Sequence, residues 1–119
     1  MAYNHTPYRF KVYGIDFDVT FVQLNVKLEY GSMKPIHFVT LAFARKIGTT
    51  ETLAAKAIQN PRDPRSWDVG HRVAFKRLLS FIYTQWYYLP GNRGIQLDQF
   101  VSEGRKIAFL AGMWNEVEE

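Results

Sequence analysis

The sequence predicts an α+β domain, with an N-terminal antiparallel β-meander of four to five strands followed by two C-terminal α-helices. Apolar and polar residues alternate through much of the first half, whereas in the second half apolar residues recur at three- and four-residue steps. Strands followed by helices are typical of an α+β fold. The chain has 119 residues, of which 47% are hydrophobic and none is cysteine. We therefore expect a single domain, residues 1–119, that folds without disulfides.

The first strands are predicted in residues 8–30. Residues 8–13, which precede a glycine, are expected to form an edge strand. From Ile15 onward apolar residues alternate with polar ones, but the phase of this alternation changes at Phe21–Val22. Because one extra residue in a strand shifts the alternation by one position, we expect a β-bulge or sharp bend there, with a turn as the alternative.

Two further strands and a loop complete the first half. A nearly unbroken apolar run in residues 35–45 predicts a central strand, because a strand covered on both faces loses the alternation. The turn signal Gly48-Thr49-Thr50 follows, and Thr52–Ile58 is predicted to be the last strand. Pro61 and Pro64 then predict an ordered loop, since neither a helix nor a central strand tolerates that density of proline.

The second half predicts two helices. The first begins after Ser66, a plausible N-cap, and is broken at Leu89–Gly94. The second is predicted from about Asp98 to Val117, and small residues such as Gly104 would let it approach a neighbour closely. A histidine on the apolar stripe of the first helix is interpreted as a buried core residue or, alternatively, as a base or stacking group. That stripe consists of Trp67, His71, Ala74, Phe75, Leu78, Leu79, Ile82 and Trp86.

Positive charge is concentrated where the proline loop meets the first helix. The chain has 15 Lys and Arg against 11 Asp and Glu, a formal charge of +4. Residues 60–77 contain five of these cations and only two aspartates. Arginine forks bind phosphate oxygens, and the N–H groups at a helix start add an anion-binding element. The predicted ligand-binding residues are Arg62, Arg65, Trp67, Arg72, Lys76, Tyr87 and Arg93.

The same residues also admit a purely structural interpretation. The arginines of the loop can pair with the two aspartates of the segment, while Arg72 and Lys76, four residues apart, can line a solvated face of the helix. The helical phase directs Trp86 to the core and Tyr83 and Tyr87 to the other side. These tyrosines are expected either to stack on a ligand or to be buried between protomers of an oligomer.

The sequence contains no catalytic signature. There is no Gly-x-Ser-x-Gly elbow, no glycine loop of the Walker type and no His-Glu-x-x-His motif. The three histidines are scattered, so we predict no metal site and no cofactor, and we expect a protein that is not an enzyme. No stretch resembles a secretory signal or a bilayer-spanning run of about 20 apolar residues, which predicts a cytoplasmic protein without membrane contact.

Residues 60–79 resemble a pattern found in small phage proteins. In that pattern an Asn-Pro-Lys-Asp loop precedes an aromatic residue, then Gly-Arg, then a helix with Ala and Arg-Ala-Leu. Here Arg62 replaces the lysine and Trp67 takes the aromatic place, and His71 stands where the pattern has the arginine. A sheet followed by two helices at this length also resembles the phage anti-Thoeris proteins, which sequester a cyclic ADP-ribose signal. This resemblance implies a homo-oligomer in which arginines at a subunit boundary hold a phosphate-bearing nucleotide without catalysis.

The leading hypothesis is a phage-type anti-defence protein that binds and sequesters a cyclic or linear nucleotide signal in the cytoplasm of its host. The alternative is an inhibitor that docks on a host defence protein or a nucleic-acid complex through an aromatic and basic surface. Direct binding of nucleic acid is a third hypothesis, which predicts an affinity that falls steeply with salt. An enzyme is the fourth hypothesis, because no catalytic set of residues is found.

Overall fold

The computed structural model describes residues 3–4, 7–27, 31, 36–59 and 67–113, of which residues 3, 4 and 67 are described by their backbone alone. These residues form five β-strands, two α-helices and one π-helical segment. Strands come first and helices second, which confirms the predicted α+β class. The strands are β1 (Tyr3–Asn4), β2 (Tyr8–Val12), β3 (Ile15–Lys27), β4 (Ile36–Lys46) and β5 (Thr52–Gln59), and the helices are α1 (Trp67–Ile82), the π-helical segment (Tyr83–Tyr88) and α2 (Leu97–Leu110).

The five strands form one antiparallel sheet. β4 lies between β3 and β5, so the prediction of a central strand is confirmed. β1 and β2 both pair with the opposite edge of β3, and β2 is therefore an edge strand as predicted. The predicted last strand is present as β5.

The prediction of a bulge, bend or turn at Phe21–Val22 is wrong. β3 pairs with β4 in one unbroken register over eleven residue pairs. A one-residue offset lies instead on the neighbouring edge. Asn4 pairs with Val22, and the pairing resumes with Tyr8 opposite Val19. Between these two pairs the edge advances four residues where β3 advances three.

The change of pattern within β3 is a change of the face that carries apolar residues. Because the side chains alternate without interruption, Phe21 and Gln23 point to the same side of the sheet, and both are buried. Val22, Leu24 and Val26 point to the opposite side and are half-buried. We call the side of Phe21 and Gln23 the inner face and the opposite side the outer face.

Both helices lie on the inner face, where the core is. The Phe75 ring of α1 lies 5.5 Å from Phe10 of β2, and Trp86 lies 6.4 Å from Phe17 of β3. The predicted apolar stripe is buried from His71 onward, which confirms the first helix. α2 packs beside α1 and also contacts β2. The largest fully buried side chains include Phe17, Phe21, Phe75, Phe100, Leu78, Leu79 and Ile82.

A glycine lets α1 lie directly on β4. A Cβ atom at Gly70 would overlap Thr40 Oγ1 and lie 3.3 Å from Thr40 Cβ. Thr40 is itself fixed, because its hydroxyl donates to Gln23 Oε1 over 2.9 Å and both side chains are buried. The next residue, His71, stacks on Phe21 with 4.2 Å between ring centroids. The buried interpretation of His71 is thereby confirmed, with 6% of the residue exposed.

The helical segment widens after α1. In the π-helical segment the Leu89 N–H donates to Thr84 O, five residues earlier, over 3.0 Å. This wider turn changes the direction of successive side chains, so Trp86 and Tyr87 are both buried. The prediction that Tyr87 points away from the core is therefore wrong, because it assumed α-helical phase throughout.

α2 ends at Leu110, so the prediction of one continuous helix to Val117 is wrong. Gly112 has φ 78°, in the left-handed region that glycine enters without a side-chain clash. The N–H groups of Gly112 and Met113 bond back to carbonyls of the last turns over 3.0 Å, which closes the helix. Residues 114–119 lie outside the described residues.

Candidate anion-binding groove

The structure describes only part of the predicted basic segment. Arg62 and Arg65 lie outside the described residues, and Trp67 is described as the first residue of α1 without its side chain. Arg72 is half-buried on α1, and Lys76, one turn later, is exposed. The predicted convergence of these residues on one phosphate thus stays a prediction, and Lys76 is the member whose surroundings the structure defines.

Tyr87 and Arg93 hold the turn that follows the π-helical segment. Tyr87 is 7% exposed, and its hydroxyl donates to Arg93 O over 3.1 Å. The Arg93 guanidinium lies 4.1 Å from the centre of the Tyr88 ring and donates to Tyr88 O and Asn92 O. The stacking role predicted for Tyr87 needs a ring face open to a ligand, whereas this ring packs 6.0 Å from Phe100.

Lys76 borders a groove of about 770 Å³ between α1 and α2. The volume falls within the range of small-molecule sites, about 300–1,000 Å³. α1 contributes two of its lining residues and α2 most of the others, at spacings that place them on one helix face. The groove, as we call this site, is lined by Lys76, Ser80, Gln96, Leu97, Asp98, Val101, Ser102, Arg105, Lys106 and Phe109.

The lining carries an excess of positive charge. Three cations, Lys76, Arg105 and Lys106, face one carboxylate, that of Asp98. The Asp98 carboxylate accepts the Gln99 N–H over 2.9 Å and so is already engaged with the start of its own helix. Among the described residues, none of the three cations takes part in an ion pair. Without a neutralising partner, these groups attract an anion.

Arg105 is the most buried of the three cations, since it is half-buried whereas Lys76 and Lys106 are exposed. Its Nε atom is buried and has no hydrogen-bond partner within the part of the chain that the structure describes. A buried N–H donor without a partner costs about 1–3 kcal/mol relative to one that is bonded. A ligand oxygen that accepts from the Arg105 guanidinium would form a charge-assisted hydrogen bond, which is stronger than a bond between neutral groups.

The remaining lining residues suit a ligand that is partly apolar. Leu97, Val101 and Phe109 supply apolar surface, and Phe109 is 38% exposed. Ser80 and Ser102 add hydroxyl groups at the wall. A groove with cations, hydroxyls and an exposed ring accommodates a phosphate together with a flat organic group.

The approach of the two helices that builds the groove depends on Gly104. A Cβ atom there would lie 2.6 Å from Leu79 Cδ2, so a larger residue would push α2 away from α1. The predicted close approach of the second helix is thereby confirmed at Gly104. At the start of α2, Gln96 and Gln99 form a capping box, in which Gln99 Oε1 accepts the Gln96 N–H over 3.0 Å.

Arg105 and Lys106 were not among the predicted site residues. They stand in an ordinary amphipathic helix, and only the packing of α2 beside α1 brings them to Lys76. The sequence does contain a signal for this helix face. Polar, basic and aromatic residues recur at helical spacing around the small Gly104, namely Ser102, Arg105, Lys106 and Phe109.

Comparison of the chain with protein-family models, with curated proteins and with solved structures finds no match. No helix within the described ranges has the length and apolar character needed to cross a bilayer. The described residues also contain no group of three or more His, Asp or Glu side chains placed to hold a metal ion.

Proposed function

We propose that this protein binds a small phosphate-bearing ligand of the nucleotide class in the groove between α1 and α2, and that it sequesters this ligand without transforming it. The observation that carries the proposal is the set of three cations lining the groove, Lys76, Arg105 and Lys106, none of which forms an ion pair with another described residue. The more specific part of the proposal, that the protein acts in phage counter-defence, rests on the resemblance of residues 60–79 to a pattern in small phage proteins.

Charge and shape together favour a nucleotide over a bare phosphate ion. Inorganic phosphate would use the cations alone and would leave most of the groove, about 770 Å³, filled with water. A nucleotide places its phosphates near Arg105 and Lys106 and its base on the apolar wall at Phe109. The exposed Lys76 on α1 then contacts the phosphates from the opposite helix.

Isothermal titration calorimetry with cyclic ADP-ribose, ATP and inorganic phosphate tests the proposal. We expect at least one nucleotide to bind more tightly than inorganic phosphate. Arg105→Gln should weaken that binding by about tenfold or more, since a hydrogen bond to a charged group contributes about 1.5–3 kcal/mol. Lys27→Gln is the matched control, because it removes one positive charge from an exposed position at the end of β3 that does not line the groove.

Two results would overturn the proposal. One is the absence of binding to any of the three probes at tens of micromolar. The other is an equal loss of affinity in Arg105→Gln and Lys27→Gln, which would mean that the ligand responds to net charge and not to the groove. Circular dichroism of both variants confirms that the helices are retained.

A further inference from the structure

A second cleft lies where α1 passes the β5 edge of the sheet. Its volume is about 490 Å³, which falls within the range of small-molecule sites. Two of its lining residues come from α1, one turn apart and therefore on one face of that helix. The strands β4 and β5 supply the rest of the wall. The edge cleft, as we call this site, is lined by Leu41, Ala54, Ala55, Lys56, Arg77 and Phe81.

The wall of the edge cleft is mostly apolar. Four of its six lining residues have apolar side chains, and the other two are Lys56 and Arg77. The Phe81 side chain is 48% exposed and Ala54 is exposed, so water contacts this apolar surface in the free protein. A ligand with an apolar body would cover the surface and release that water, which favours binding.

The two cations of the edge cleft have no acidic counterpart in its lining. The lining contains no carboxylate, and within the part of the chain that the structure describes neither Lys56 nor Arg77 takes part in an ion pair. Glu51, the residue that precedes β5, lies 3.8 Å from Lys46 and pairs with it instead. An anionic group is therefore attracted to this side of the cleft.

The Arg77 guanidinium is held in place by the strand beside it. Its Nη1 atom donates to Lys56 O over 2.8 Å. A guanidinium has five N–H donors in a planar fork, so donors that this bond does not use can bind the two oxygens of a carboxylate. Because the group is already fixed, little conformational freedom is lost when a ligand binds.

We propose that the edge cleft binds an amphipathic monocarboxylate, with the carboxylate on Arg77 and Lys56 and the apolar body against Leu41, Ala54 and Phe81. A single charge suits this wall, because each further charge on the ligand would lose water against apolar surface without a partner. The edge cleft and the groove have no lining residue in common, so this proposal is independent of the proposed function.

A peptide strand is the other occupant that an edge strand can take. It is disfavoured here, because Lys56 O already accepts from Arg77 and because a lysine on an edge strand hinders the pairing of another strand. An added strand would have to displace Arg77, whereas a small carboxylate binds Arg77 where it stands. The observations therefore favour a small molecule.

An NMR titration of the full chain with octanoate, followed through the backbone amide signals, tests the proposal. We expect the signals of residues 54–56, 77 and 81 to shift and to saturate, with a dissociation constant of about 1 mM or lower. Acetate lacks the apolar body and octanol lacks the charge, so each should bind at least about tenfold more weakly. A short peptide in which valine and glutamate alternate should also bind more weakly than octanoate.

Three variants separate the charge from the apolar wall. Arg77→Gln and Lys56→Gln should each weaken octanoate binding, the former by about tenfold or more, because a charge-assisted hydrogen bond is lost. Lys11→Gln is the matched control, since it removes one positive charge from an exposed position on β2 that does not line the cleft. Ala54→Trp fills the cleft from an exposed position, so it should abolish binding and leave the urea midpoint nearly unchanged.

Four results would each overturn the proposal. The first is a titration in which octanoate shifts no signal of the edge cleft, and the second is octanol or the peptide binding as tightly as octanoate. The third is an equal loss of affinity in Arg77→Gln and Lys11→Gln. The fourth is normal octanoate binding by Ala54→Trp, which keeps the test decisive even if Arg77→Gln fails to fold.

Discussion

Replacing Gly70 with alanine is expected to lower the free energy of unfolding by about 1–2 kcal/mol. The new methyl group would overlap Thr40 Oγ1, and Thr40 cannot move aside easily because it is buried and bonded to Gln23 over 2.9 Å. Overpacking of this kind costs about 1–3 kcal/mol. Alanine stabilises a helix by roughly 0.5–1 kcal/mol relative to glycine, and subtracting this gain from the cost of overpacking leaves the expected net destabilisation.

The contribution of Thr40 to this clash can be tested separately by shortening its side chain. In a Thr40→Ala background the hydroxyl and methyl branches are gone, so Gly70→Ala should become neutral or slightly stabilising. In a Thr40→Val background the volume remains while the hydrogen bond to Gln23 is lost, so Gly70→Ala should keep its full cost. The double-mutant cycle with Thr40→Ala should therefore show a coupling of about 1–3 kcal/mol, whereas the cycle with Thr40→Val should show little.

Urea denaturation followed by circular dichroism measures the cost of Gly70→Ala in these three backgrounds at constant pH. The slope of the unfolding free energy against urea should stay the same, so that the midpoints report stability. If Gly70→Ala stabilises the unaltered chain, or costs the same with alanine at position 40, then α1 does not lie on β4 as closely as argued.

Two further predictions concern the sheet edge and the end of α2. The Arg9 guanidinium, bonded to Asp16 over 2.8 Å, holds the pKa of that carboxyl below its usual value. The pair should therefore stabilise the fold above about pH 4, the pKa of the carboxyl in the unfolded chain, and this stability should be lost as the pH falls through the lowered pKa of the folded state. The difference in urea midpoint between the unaltered chain and Asp16→Asn should then shrink below pH 4, and a constant difference would contradict the assignment. Gly112→Ala should lower the melting temperature by about 4 °C or more, because a non-glycine residue in the left-handed region costs about 1–2 kcal/mol, and a melting temperature that does not change in calorimetry would show that φ 78° is not required there.

Much of the candidate site could not be predicted from the sequence, because its residues come from two helices that only the tertiary structure brings together. Lys76 was predicted because it belongs to a local excess of charge, and local composition is visible along the chain. Arg105 and Lys106 belong to the same groove only because α2 packs beside α1 at Gly104, and helix packing joins residues far apart in the chain. Tyr87 was misplaced since a π-helical segment changes the phase of side chains without a signal that periodicity detects.

The sequence by itself determined the order of strands and helices, the buried stripe of α1 and the central position of β4. Each of these depends on periodicity or on turn residues, and both act over a few neighbouring positions. Only the tertiary structure decided which face of the sheet Val22, Leu24 and Gln23 occupy. A change of alternation has the same appearance in the sequence whether a strand bulges or its apolar residues change face, and only the unbroken pairing of β3 with β4 distinguishes the two.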